Sequence, residues 1–504
     1  MAINQLKTGA LLSYISIILN NIIGLLYTPF MLRMMGQSEY GLYSLVASVV
    51  AYLTILDFGF GNAIIRYTAK FRAENRLKEQ YEMFGMFLFL YSAIGIFTLL
   101  IGLCLYFNVD FLFERSMNME ELNKIRIMML LMVFNIAITF PFSIFGSIIT
   151  AYENFIFQKA INIVRIILNP IVMCVMLLMG YRAIGMVVVT TLFNVLTLLI
   201  NCWYCYHRLH IHVIIGRFNW TFLKEIMIYS FWIFLNAIMD RIYWSSGQFI
   251  LGIYAGAKAV AIYAVAISLE NIYMSFSTAI SGVFLPRITS MITQKENEKS
   301  MSDLFIRTGR IQYIIMSFIL IGFILFGKQF IIIWAGSDYS EAYYITLLFF
   351  VPLTIPLIQN LGITILQARN QMKFRSVSYV IIAIISLGLS VFLVRYYGGI
   401  GCALSTAFAL CIGQILIMNI YYFKKVNIDI PAFWREIGKM SVVPILIGIV
   451  GYVLLNYFRI ESILTLFLGI VLFSIIYLPA FWHLSMNSYE RNLFLKPLKK
   501  VLKK

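Results

Sequence analysis

Long apolar runs separated by short charged clusters set the rhythm of this chain. Uncharged stretches cover 8–32, 40–56, 83–109, 127–152, 183–206, 342–368 and 396–423, among others. A helix needs about 20 apolar residues to cross about 30 Å of hydrocarbon, and most of these runs reach that length. The ~10-residue alternating segments of a membrane β-barrel do not occur in the sequence. The pattern predicts an all-α polytopic membrane protein with fourteen transmembrane helices. These are placed at 9–32, 42–65, 84–107, 127–150, 161–180, 183–206, 227–250, 259–283, 311–333, 343–366, 377–396, 400–423, 441–457 and 463–482.

Composition agrees. The chain is 61% hydrophobic and 12% charged, against about half and a quarter in soluble domains. The net charge of +17 would suit nucleic acid, but its placement is topological. The termini and the loops on their side carry 29 Lys and Arg, the opposite loops and span ends carry nine, and Arg241 alone lies mid-span. Positive residues stay cytoplasmic, so both termini are expected inside a cytoplasmic membrane, with anionic lipid rather than nucleic acid as the partner of the charge. The N-terminus reads as a retained signal-anchor.

Three internal matches, at two close offsets, suggest a repeat. GQSEYGLYSLVAS (36–48) lies over GAKAVAIYAVAIS (256–268) at an offset of 220. AYEN (151–154) over QARN (367–370), and YRAIG (181–185) over YGGIG (397–401), agree at 216. Six spans separate the copies, so both have one orientation, as in parallel repeats. The expected organisation is an N-terminal lobe (1–210, spans 1–6), a C-terminal lobe (211–425, spans 7–12), then two extra helices and a basic tail (426–504).

Charged residues in the bilayer core are costly and usually face a cavity or a partner. Asp57, Asp240, Arg241 and Glu270 stand clear of the interfaces. Asp57 lies about 14 Å along its helix from Arg66. Asp240 and Arg241, as neighbours on a helix, point about 100° apart and cannot simply neutralise each other. An Arg241–Glu270 ion pair is one reading. The other has Arg241 meeting an anionic head group while an acid carries a coupling cation or proton. Asn20 and Asn21 fall opposite Asp240 and Arg241 under the 220 offset, which suits either a central cavity or interhelical hydrogen bonding. Arg33, Arg66, Arg126 and Arg165 could fringe the cavity mouths or serve as snorkelling anchors.

CWYCYHRLHIH (202–212) contains metal-ligand residue types, but its spacing matches no zinc pattern, and the end of a span meeting the head groups explains it more simply. The six cysteines fall inside or at the edge of apolar runs and make no disulfide framework. No P-loop occurs and the loops are too short for an ATPase domain, so no cofactor, metal or enzymatic chemistry is expected. Any energy would come from an ion gradient, the membrane potential or the substrate gradient.

LDFGFGNAIIRYTAKFRAENR (56–76), preceded by GQSEYGLYSLVASVVAYLTI (36–55), resembles the N-terminal signature of bacterial polysaccharide transporters of the multidrug/oligosaccharidyl-lipid/polysaccharide exporter superfamily. The resemblance implies a flippase for undecaprenyl-diphosphate-linked oligosaccharide, working by alternating access around a polar cavity. It also implies a groove for the lipid tail in the last two helices (441–482), with a polysaccharide polymerase and glycosyltransferases as functional partners. One departure stands out. Such cavities are expected to be cationic, yet the deep charges here sum to −2 if all are ionised, which keeps open a cation-coupled multidrug antiporter. A membrane scaffold in a polysaccharide assembly complex is the third class. The glycines of LDFGFG would let the helix bend or let backbones approach, with Asp57 satisfying exposed backbone there or facing the cavity.

Overall fold

The computed structural model describes residues 5–495, apart from 215, 217–219, 282–287, 289, 292–293, 295–296, 370, 459 and 494. The basic tail from residue 496 onward and Asn370 of the QARN stretch therefore lie outside the described residues. Among the described residues all regular structure is helical. Eleven helical segments are long and apolar enough to cross a membrane, or twelve if Ala342–Ile358 and Leu361–Ala368, bent by 47°, form one span. The sequence reading counts fourteen. The difference lies at two places: Met372–Lys424 runs as one 53-residue segment over two expected spans, and Trp220–Tyr254 is not among the eleven.

The chain divides into two compact units, Met1–Ala264 with Tyr379–Cys402, and Val265–Ser378 with Ala403–Lys504. The expected lobes follow the repeat; the compact units follow packing.

The first unit holds α1 (Gln5–Met35), α2 (Gln37–Leu53), α3 (Phe60–Ala73), α4 (Leu77–Phe107), the short α5 (Val109–Phe113), α6 (Met119–Ala151), α7 (Phe155–Leu178), α8 (Ala183–His207) and α9 (Trp220–Tyr254). Helix α6 starts in a capping box: the Asn118 side chain accepts from the Glu121 N–H at 2.9 Å, and the Asn118 N–H donates to the Glu121 carboxylate at 3.1 Å. Such reciprocal bonds satisfy donors that a helix start leaves orphaned. Packing is close wherever a glycine meets another helix. A Cβ at Gly41 on α2 would sit 1.8 Å from the Ala257 carbonyl oxygen, and one at Gly102 on α4 would sit 2.1 Å from Val133 on α6. Small residues allow such approach in membranes, where contact rather than water exclusion drives association. The core gathers Phe60, Phe84, Phe87, Tyr91, Phe140 and Phe145. Gly36, just ahead of α2, and Gly256, the first residue of α10, both have φ 79, a left-handed conformation that glycine adopts without a Cβ penalty.

The second unit contains most of α10 (Gly256–Ser281), then α11 (Glu298–Trp334), α12 (Ala342–Ile358), α13 (Leu361–Ala368), the ends of α14 (Met372–Ala409), a π-helical stretch Leu410–Ile417, α15 (Met418–Lys424), α16 (Ile430–Leu455) and α17 (Ile463–Leu484). Pro352 and Pro356 lie inside α12, ahead of its bend into α13. Each removes a backbone donor. Helix α14 is kinked at Gly398, φ 51 and ψ −128. The aromatic core of this unit, Phe326, Phe473, Tyr477 and Phe481, joins α11 to α17. Helix α11 begins at Glu298, ahead of the expected span 311–333, so Arg310 lies inside a helix rather than in a loop.

Candidate functional site

The LDFGFG stretch breaks its span. After α2, Thr54–Asp57 tighten into a 3-10 turn, then Phe58 (φ 50) and Gly59 (φ 72) take left-handed conformations before α3 starts at Phe60. Gly59 adopts this freely; Phe58 does so at a cost of roughly 1–2 kcal/mol. Stacking of Phe58 on Phe234 of α9, centroids 4.7 Å apart, holds the strained residue. Asp57 sits at the break, half-buried. The buried Tyr91 of α4 donates to its carboxylate at 2.8 Å, and the Gly59 backbone N–H also bonds to it. The carboxylate thus ties the broken ends to a neighbouring helix.

On α9, which packs beside α2 through Phe249 and Tyr52 at 6.4 Å, Asp240 is exposed and Arg241 half-buried. In the second unit Glu270 on α10 is 1% exposed, and neither carboxylate oxygen meets a hydrogen-bond partner among the described residues. Below it on the same helix face runs a buried polar ladder that the sequence reading missed. Tyr273 Oη lies 2.7 Å from Thr354 Oγ1. Ser277 Oγ donates to the Leu357 carbonyl at 2.7 Å, and Gln312 Nε2 donates to Ser277 Oγ at 3.1 Å. Asn360 Nδ2 reaches Ser281 Oγ at 3.0 Å. The positions 270, 273, 277 and 281 recur at helical spacing, a signal legible in the sequence.

The other expected residues spread over the first unit. Asn20 and Arg33 are exposed on α1 and Asn21 is half-buried there; Arg66 is exposed on α3 and Arg165 half-buried on α7. Arg126 is engaged, pairing with Asp110 and donating to Asn123 at 3.1 Å. In CWYCYHRLHIH, the Cys205 thiol donates to the Phe145 carbonyl and Trp203 stacks on His207.

Two charge clusters escaped the sequence reading. Glu39, in the GQSEYG stretch, takes Lys124 of α6 at 2.6 Å and the first N–H of α8, Ala183, at 3.3 Å. Arg310, 5% exposed, donates to both carboxylate oxygens of Glu490 at 2.6 and 3.1 Å, to Glu436 at 2.9 Å and to the Ser485 carbonyl at 3.2 Å. Sequence separations of 126 to 180 residues hide such partners.

In the second unit, an apolar groove of about 250 Å³ lies between α11 and α17, lined by Phe318, Gly322, Phe326, Phe330 and Phe473 among others.

A family model described as polysaccharide biosynthesis protein matches residues 6–292. A Shigella flexneri protein named as an O-antigen transporter is 20% identical over 400 residues, covering 78% of this chain and 92% of that one. The solved structure of the lipid II flippase MurJ in an inward closed conformation superposes with a TM-score of 0.70 at 16% identity, covering 94% of this chain and 99% of the other. An inward-facing multidrug transporter of the MATE family follows at a TM-score of 0.57 and 15% identity, covering 80% and 99%. At these identities the solved structures show a common fold.

Proposed function

The chain belongs to the polysaccharide biosynthesis protein family, and on that premise we propose that it flips an undecaprenyl-diphosphate-linked oligosaccharide from the inner to the outer leaflet of a bacterial cytoplasmic membrane. The observation that carries this reading is the match of a polysaccharide family to more than half of a chain whose fold is that of membrane transporters. The cargo would then serve a surface polysaccharide, with glycosyltransferases supplying it and a polymerase consuming it. Both termini are taken as cytoplasmic because the positive charge concentrates on their side.

In this reading the two six-helix lobes alternate access around the cargo and no covalent bond is made or broken. Arg241 meets the diphosphate, since a guanidinium offers paired donors that match phosphate oxygens. Asp57 is a structural anchor, consistent with its bonds to Tyr91 and Gly59. The phenylalanine-lined groove on α11 and α17 suits an acyl or prenyl chain.

The test is transbilayer movement of a labelled undecaprenyl-diphosphate oligosaccharide in liposomes holding the purified protein. Wild type is expected to move it, and Arg241→Ala to reduce movement at least tenfold at equal membrane levels. A loss of tenfold corresponds to about 1.4 kcal/mol, modest for a desolvated phosphate contact. No movement by wild type, with ethidium efflux under an imposed ion gradient instead, would move the protein to the cation-coupled antiporter class.

A further inference from the structure

At the Ala73 end of the broken span, the first unit carries an open cleft of about 290 Å³ between α3, the start of α4 and the start of α9. Its apolar wall is aromatic. Tyr67 and Phe222 meet edge to face at 4.9 Å, and Phe71 lies 6.1 Å from Phe222. Its polar wall includes Lys70, Glu82 and Glu225, with Arg76 and Glu79 beside them. The Tyr67 hydroxyl donates to Glu225 Oε1 at 2.8 Å, which orients that carboxylate. Arg76 is already committed, to Glu74 at 3.2 Å and to Glu79 at 3.1 Å.

Charge decides what fits. With Arg76 paired to Glu74 and Glu79, the lining leaves Glu82 and Glu225 against Lys70, so an anion such as a diphosphate would meet net repulsion. A hydrocarbon chain would have to cover several charged groups, which costs more than its own burial returns. A polyhydroxylated ligand suits both walls. Ionised carboxylates are pure acceptors and take hydroxyl donors, while aromatic faces take the apolar face of a ring. The volume is at the lower end for small-ligand sites, about 300–1,000 Å³, which suits a short saccharide rather than a long one.

We propose that this cleft is a glycan subsite that takes a neutral saccharide unit of the cargo at one mouth of the transporter, with Glu82 and Glu225 as hydroxyl acceptors and Phe222 as the stacking face. The assignment rests on the flippase reading and adds to it the place where the sugar, as distinct from the diphosphate, is recognised.

The experiment compares wild type with Glu82→Gln, Glu225→Gln and the double variant in two assays. The first is saturation-transfer NMR of the delipidated oligosaccharide against the protein in nanodiscs. The second is the liposome assay with the intact lipid-linked oligosaccharide. Glu225 is exposed and Glu82 half-buried, so melting temperatures are expected to match wild type and report that each variant is folded. The expected result is loss of the saccharide signal and at least a fivefold loss of transport in the double variant. An unchanged saccharide signal, unchanged transport, or displacement of the saccharide by inorganic pyrophosphate overturns the subsite while the flippase stands. Failure of wild type to move the lipid-linked oligosaccharide overturns the flippase reading itself, a different outcome in the same assay. Phe222→Leu supplies a charge-neutral check: it removes the stacking face, and retention of the full saccharide signal would count against the proposal.

Discussion

The side chains that organise this protein are those whose charge is taken out of water. Arg310 and Glu490 form a buried two-pronged pair, with Glu436 and the Ser485 carbonyl completing the guanidinium's bonds. Breaking such a pair from one side strands the other charge and costs about 3–5 kcal/mol, whereas removing both charges is often neutral. Arg310→Ala is therefore expected to lower the melting temperature of the purified protein clearly. The Arg310→Met, Glu490→Leu double variant should recover most of the loss. Equal melting of Arg310→Ala and wild type would show that the cluster contributes nothing. Glu270 is the opposite case, a buried carboxyl with no partner among the described residues. A buried polar group without hydrogen bonds costs about 1–3 kcal/mol on protein scales. Glu270→Leu should raise stability by about that amount, read as a higher melting temperature; lower stability would show that the acid is satisfied after all. If transport falls as stability rises, Glu270 is a functional group held at a cost to the fold.

Among the elements, the second span carries the most information. Its break at Phe58 and Gly59 is written in the LDFGFG stretch, where glycine supplies the left-handed backbone and Phe234 holds Phe58. Tyr91 reaches across from α4 to the carboxylate at the break. Tyr91→Phe keeps the packing against Phe140, whose ring stacks on Tyr91 at 6.3 Å, and deletes only the hydroxyl. The loss of a hydrogen bond to a charged group predicts a destabilisation of about 1.5–3 kcal/mol, read by thermal melting. A value near zero would detach Asp57 from the structural role assigned to it.

At the scale of the molecule, the family match and the fold agree with the composition: the described residues are built almost wholly of helices, with Asp240, Arg241 and Glu270 on helices and Asp57 at the break in the second span. The flippase reading stands or falls on the liposome assay, where Arg241→Ala is expected to lose at least tenfold. The residue that this experiment probes is half-buried in the middle of α9.

The sequence by itself determined the solvent of this protein, its helical class and the glycines at which its second span breaks. Those are encoded locally: apolar run length sets a span, and glycine placement sets a bend. Its helix boundaries were less legible, since polar residues at span ends continue a helix without an apolar signal, as at Glu298–Arg310 ahead of α11. Only the tertiary structure decided which charges pair. Glu39 with Lys124, Arg310 with Glu436 and Glu490, and Tyr91 with Asp57 join residues 34 to 180 positions apart. Coulomb and hydrogen-bond energies act over a few ångströms of space, and separation along the chain carries no trace of that proximity.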